Sequence, residues 1–195
     1  ANVLNEFGAS DFAVKSTETM RRLASAMRGE RSLETIAAPL ALNAELRDYQ
    51  REGIHWLDFL AEHGLGGLLA DDMGLGKTIQ ILAHVLHEKQ IGRAKLPTLI
   101  VMPTSLVPNW QAEAKRFAPS LKTLTLHGSQ RHSQFAQIPD CDLVFTTYAL
   151  LFRDETELAA FPFELAVFDE AQALKNASAK SAVAARNINA RRRIA

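Results

Sequence analysis

The stretch Gly66–Gln80, GGLLADDMGLGKTIQ, decides the architecture. It opens as a short apolar strand, Leu68-Leu69-Ala70, passes through a glycine-rich turn, and enters a helix at Lys77. Gly74 and Gly76 accept positive φ without a Cβ clash, so successive backbone N–H groups can curl into an anion nest. The helix aims its unpaired N–H groups and positive dipole end at the same anion. The candidate phosphate cradle is thus Asp71, Met73, Gly74, Leu75 and Gly76, with Lys77 as a point charge for β- and γ-phosphates and the Thr78 hydroxyl as a Mg²⁺ ligand. The usual spacing has a glycine where this chain has Asp71, and Gly-Lys-Thr alone turns up by accident. The competing reading is an ordinary strand–loop–helix corner with a surface lysine. The register of strand, glycines and helix outweighs it, as does a second site downstream.

Working outward, LRDYQREGIHWLDFLAE (46–62) predicts an amphipathic helix with Tyr49, Gly53, Trp56, Leu57 and Leu60 on one face. The helix from Lys77 to about Lys89 is expected to bury Ile79, Leu82, Ala83 and Leu86. LPTLIVMPT (96–104) and FELAVFDE (163–170) are continuous apolar runs, the mark of strands buried on both faces. Helices are predicted over 107–117, near Glu155–Ala160 and over 178–188, with shorter strands at 121–126 and 143–147. Apolar strands alternating with helices imply βαβ units, hence an α/β fold: a mostly parallel sheet with helices on both faces. Ligands of such sheets sit at the carboxyl ends of the strands, where both DDMGLGKT and Asp169-Glu170 fall. Residues 1–40 read as a short helical lead-in, with a helix from Ser16 stopped by Gly29 and a boundary at Pro39.

Asp169-Glu170 is the second site. A carboxylate at a strand end beside a phosphate loop can hold Mg²⁺, and Glu170 beside it can activate an attacking water. A solvated acidic turn is the competing account of the pair alone. About ninety residues after Lys77-Thr78, the pair makes nucleotide hydrolysis the better explanation.

Composition sets the outer limits. The chain has 195 residues, enough for one domain that buries roughly 70% of its unfolded surface. Lys+Arg and Asp+Glu are 22 each, so any nucleic-acid partner must be read from local patches rather than net charge. Cys141 is the only cysteine, which excludes an internal disulfide framework and a Cys-rich zinc site and suits a reduced, cytoplasmic setting. No apolar run reaches transmembrane length, and the polar start is not a signal peptide. The chain does not begin with Met and reads as a piece of a longer protein.

DDMGLGKTIQ, LIVMPTSLVPNW, TTYALL and FDEAQALKN together resemble the first-lobe motifs of SWI/SNF-type DNA translocases, ATPases of helicase superfamily two with two RecA-like lobes. The resemblance covers about residues 42–195 in order and spacing. It implies a RecA-like P-loop fold over 41–195, stopping before motif III, with the second lobe as a partner outside the chain. An Asp at the Asp71 position is ordinary in that family. Gln50 would read adenine, a task an amide suits because it donates and accepts at once. Many relatives have His where this chain has Gln172, a coupling position; Gln hydrogen-bonds toward the second lobe but does not titrate. Thr104 and Ser105 match motif Ia, Gly128 and Arg131 a further loop, Thr147 and Tyr148 motif Ib, and Lys175 and Asn176 the end of the acidic motif. Each is a candidate contact to the backbone of double-stranded DNA, which carries no base readout; each also suits a plain turn or strand end. Trp110 is read as helix packing. After Glu170 no acidic residue occurs, while Lys175, Lys180, Arg186 and Arg191 to Arg193 do: a DNA-facing strip or a solvated face.

By resemblance the activity is ATP hydrolysis with ATP and Mg²⁺, driving translocation on duplex DNA and remodelling of protein–DNA complexes. The rivals are a strand-separating helicase of the same superfamily, acting on DNA or RNA, and a binding module that keeps the fold without turnover. Intact Lys77 and Glu170 argue against the second.

Overall fold

The computed structural model describes residue 39, residues 41–69 and residues 75–195, which belong to one compact unit spanning 36–195. The lead-in helix expected from Ser16 lies outside the described residues, as do Ala70, Asp71, Asp72, Met73 and Gly74.

The continuous apolar runs become the centre of the sheet. β1 (Thr98–Met102), β3 (Leu143–Thr147) and β4 (Phe163–Phe168) are buried at every residue. β1 pairs in parallel with β3, from Thr98 opposite Leu143 to Met102 opposite Thr147, and on its other side with β4, from Thr98 opposite Leu165 to Val101 opposite Phe168. β2 (Thr123–Thr125) and β5 (Ala190–Ile194) complete the parallel order β2-β3-β1-β4-β5. Of the strand expected at Leu68–Ala70, the described residues show a short parallel pairing beyond β5, carried by Gly67 and Leu69. Gly67 and Leu69 donate their N–H groups to the Arg193 and Ala195 carbonyls at 3.0 and 2.7 Å, and Ala195 donates back to Gly67 at 3.0 Å. Leu68 points outward, 64% exposed. A Cβ on Gly67 would lie 2.5 Å from Trp56 and Leu60, so only glycine lets the first helix pack directly on this backbone.

Alternate residues of each strand serve opposite layers. On one face, Ile100, Met102, Phe145 and Val167 pack against α1 (Asp48–Glu62), α2 (Lys77–Gln90) and α3 (Val107–Phe117). On the other, Leu99, Val101, Val144 and Phe168 pack against α4 (Tyr148–Arg153), α5 (Glu155–Ala159), α6 (Lys180–Asn187) and a 3₁₀ stretch, Ser129–Asp140. The buried stripe of α1 is Ile54, Leu57, Asp58 and Leu60, with Gln50. Tyr49, Gly53 and Trp56 are only half-buried, while Ile54 packs with Ile79 and Ala83 of α2. The strand ends at Thr147 as expected, and α4, a helix the sequence reading did not include, begins at Tyr148, where the Thr147 hydroxyl accepts the Leu150 N–H. Among the described residues no helix is long and apolar enough to cross a membrane.

α2 buries polar residues together with the expected apolar ones. Glu88, on its last turn, accepts from Arg192 at 2.8 Å and Arg93 at 2.6 Å; Arg93 also pairs with Asp58, and Arg191 with Glu164 at 3.1 Å. His84 is 1% exposed beside this network, and its Nδ1 has no hydrogen-bond partner. Burial, then the charges of Arg192, Arg93 and His87, lowers its pKa from 6.5 to about 3, so the imidazole stays neutral in the fold. The unfolded chain protonates below 6.5 and the fold does not until about 3, so stability is present above pH 6.5 and is lost as pH falls through that window. His84→Leu should therefore reduce the loss of unfolding free energy between about pH 7 and about pH 5 by about 2 kcal/mol, read from urea denaturation at each pH. An unchanged pH dependence in the variant would contradict a neutral buried imidazole.

Candidate active site

α2 begins where the phosphate-loop reading places it. Gly76 caps the helix in the left-handed region, φ +79°, and Lys77 and Thr78 form its first turn, both half-buried. Gln50 holds this corner from the neighbouring helix. Its Oε1 accepts the Arg47 N–H at 3.0 Å at the start of α1, and its Nε2 donates to the Leu75 carbonyl at 3.2 Å. A Cβ on Gly76 would fall 2.5 Å from that nitrogen, so glycine is required here by both dihedral and space. Gln50 is thus a buried clasp between α1 and the loop, rather than a residue on a wet helix edge. Leu75 stands exposed on the loop.

The acidic pair lies at the carboxyl end of β4. Asp169 is fixed at four atoms. Its N–H donates to the Val101 carbonyl at 2.9 Å, its carbonyl accepts the Tyr148 hydroxyl at 2.8 Å, Oδ1 accepts the Glu170 N–H at 3.0 Å, and Oδ2 accepts the Trp110 indole N–H at 2.8 Å. Burial, then the charges of Asp169 and Glu170, pushes the Tyr148 pKa well up, which keeps that hydroxyl a donor. Glu170 has φ +54°, the only positive φ of a non-glycine among the described residues. Such backbone costs on the order of 1–3 kcal/mol and gathers at functional sites. The Gln172 amide donates to the Glu170 carboxylate, so the expected coupling residue turns toward the acidic pair.

A cavity of about 380 Å³ joins these elements; among the described residues Lys77, Trp110, Asp169, Glu170 and Gln172 line it, with Leu69, Ile81 and Val167 as apolar walls. Lys77, Asp169 and Glu170 thus share one space, as the sequence predicts. Thr78 and Gln50 lie outside its lining. A carboxylate offers about four lone-pair sites, and Asp169 uses two, so it retains acceptors for a hard cation. Sequence reasoning gave Trp110 to helix packing and Tyr148 to DNA contact, and missed that both donate to Asp169. The available signal for Trp110 was general: a buried indole N–H needs an acceptor, and 59 residues separate it from this one.

The candidate DNA residues divide. Thr104, Ser105, Lys175 and Asn176 are exposed beyond the ends of β1 and β4. Thr147 is 3% exposed and caps α4. Arg131 is committed internally: it pairs with Asp154 at 2.6 and 2.7 Å and donates to the Gly128 carbonyl at 2.9 Å. The basic tail is no continuous strip. Arg192 is buried on Glu88, Arg191 pairs with Glu164, and Arg193 and Arg186 donate to backbone carbonyls.

Residues 49–195 match the family described as the SNF2-related domain, and the chain belongs to that family. The core of the SWI2/SNF2 ATPase of Sulfolobus solfataricus, solved in complex with dsDNA, superposes with a TM-score of 0.76 at 36% identity, over 83% of this chain and 33% of that one. The fold is accordingly RecA-like. YwqA of Bacillus subtilis, provisionally named an ATP-dependent helicase/translocase, is 44% identical over 77% of this chain and 17% of its own length. The TATA-binding protein-associated factor mot1 of Aspergillus fumigatus is 34% identical over 96% of this chain and 11% of its own. The chain thus spans under a fifth of the length of these curated relatives.

Asp154 is 1% exposed, so removing its partner strands a buried carboxylate. Arg131→Ala should lower the unfolding free energy by about 2–4 kcal/mol in denaturant titration. A change under about 0.5 kcal/mol, the usual range for a surface substitution, would show that the pair is not structural.

Proposed function

We propose that the chain is the ATP-binding lobe of a DNA-dependent ATPase that translocates on duplex DNA and remodels protein–DNA complexes. The observation that carries this reading is the single cavity lined by Lys77, Asp169, Glu170 and Gln172, in a chain of the SNF2-related family. Lys77 and the N-terminus of α2 neutralise nucleotide phosphates, with the backbone of Asp71, Met73, Gly74, Leu75 and Gly76 as cradle. Thr78 and Asp169 would hold Mg²⁺, which when bound neutralises phosphate charge. Among the described residues no three His, Cys, Asp or Glu side chains converge, which suits a cation that takes most of its ligands from phosphate and water. Glu170 accepts the proton of the attacking water, and the Gln172 amide holds its carboxylate meanwhile. Gln50 would read the adenine, and its bond to the Leu75 carbonyl, which ties it to the loop, supports that role.

DNA contact falls to exposed Thr104, Ser105, Lys175 and Asn176, and to the loop at Gly128; the duplex carried by the Sulfolobus relative supports this assignment. Arg131 and Thr147 serve it indirectly, by holding their segments. A second RecA-like lobe completes the site and supplies arginine fingers, worth about 10³–10⁵ in turnover in nucleotide hydrolases generally.

Lys77→Ala should weaken ATP binding at least about tenfold while the fold persists, since charge-assisted contacts to phosphate contribute roughly 1.5–3 kcal/mol each. Calorimetric titration reads it, and equal affinity in a folded variant would end the assignment. The 195 residues alone should hydrolyse ATP negligibly with or without DNA, whereas the protein with both lobes should show DNA-stimulated phosphate release that Glu170→Gln abolishes. Robust DNA-stimulated turnover by the single lobe would refute the need for a second. Duplex binding should be indifferent to sequence and fall steeply with salt; salt-independent binding would contradict a backbone interface.

A further inference from the structure

Trp110 is 2% exposed on α3, its ring 6.2 Å from that of Phe145, and packing alone accounts for the ring. Packing does not account for where its N–H goes. An indole has one donor and no acceptor, and a buried one orients toward whatever satisfies it. Here the acceptor is Oδ2 of Asp169, at 2.8 Å, on the wall of the candidate site. The Glu170 N–H holds the other oxygen at 3.0 Å, while the Tyr148 hydroxyl and the Val101 carbonyl hold the Asp169 backbone. With both oxygens engaged, the carboxylate cannot rotate about its Cβ–Cγ bond without breaking a part-buried hydrogen bond.

We infer that Trp110 is a positioning residue for Asp169, setting the plane of the carboxylate so that its remaining lone pairs meet a divalent cation. The inference rests on the reading of Asp169 as a Mg²⁺ carboxylate. It also gives α3 a second task. This helix follows directly on the 3₁₀ turn Thr104–Leu106, whose Thr104 and Ser105 are exposed, and it reaches Asp169 through Trp110. Outer-shell partners of metal ligands commonly govern metal affinity by 10–100-fold.

The test substitutes Trp110→Phe, which keeps an aromatic ring and deletes the donor. Direct Mn²⁺ binding in the presence of ADP, followed by the electron paramagnetic resonance of free Mn²⁺, should weaken about tenfold. ADP affinity without metal and the melting temperature should stay close to wild type. Mn²⁺ affinity unchanged in folded Trp110→Phe would overturn the inference. Asp169→Asn separates the two readings: if it too leaves Mn²⁺ affinity unchanged, Asp169 is not the cation ligand, whereas weakening by Asp169→Asn alone rejects only the role of Trp110. Should Trp110→Phe fail to fold, the wild-type protein supplies the answer. Mn²⁺·ADP should broaden the Trp110 indole N–H resonance, assigned with Trp56→Phe, beyond detection. A sharp resonance at saturation would refute the proximity that the inference requires.

Discussion

One strand, paired in parallel on both sides, sets the geometry of this lobe. β1 runs between β3 and β4 in the same direction as each, so Met102, Thr147 and Phe168 all deliver the chain to one edge of the sheet. Parallel neighbours cannot be joined by tight turns, so each return passes over a face of the sheet. That requirement puts α3 on one side and α4 to α6 on the other, and leaves the connecting residues free to carry chemistry. Asp169 is one residue past the last buried position of β4, and its backbone N–H still bonds to Val101 of β1. The acidic residue thus inherits the rigidity of the sheet.

Much of this was legible in sequence because the signals were local and redundant. Runs such as LIVM and FELAVF are apolar at every position, so neither period nor propensity had to arbitrate. The helix after Gly76 was announced by glycine placement, and the cavity joining Lys77 to Asp169 and Glu170 followed from the strand-end rule. Two kinds of feature escaped. On α1, Ile54 packs with Ile79 and Ala83 of α2, a tertiary fact that a single-helix moment does not contain. The partners of Trp110, Tyr148 and Arg131 lie 59, 21 and 23 residues away in sequence, and no spacing pattern encodes them. Arg131 and Arg192 look alike as letters in the sequence, and only packing shows that both charges are consumed internally.

The site is also organised by where polar atoms find partners. Around Asp169 each donor comes from a different segment: Glu170 from the same turn, Tyr148 from the start of α4, Trp110 from α3. Glu170 holds a left-handed backbone that a glutamate adopts only under constraint. Its neighbours supply that constraint, through the bonds that fix Asp169 before it and the 3₁₀ turn Ala171–Leu174 behind it.

The ionic network beneath α2 has a consequence for how this sequence can change over time. Glu88, Arg192, Arg93, Asp58 and Glu164 form a largely buried set of three carboxylates and two guanidiniums, drawing on α1, α2, β4, β5 and the segment after α2. Losing Arg192 or Glu88 takes the 2.8 Å partner from a buried charge, and an uncompensated buried charge costs far more than the network's net contribution to stability. Single-step change at Glu88 or Arg192 is therefore costly in both directions, toward apolar residues and toward the opposite charge. Exchange has to proceed through paired replacements, or through an intermediate rescued elsewhere in the fold. A pair outside the lining of the candidate site is thereby among the parts of the molecule least free to vary.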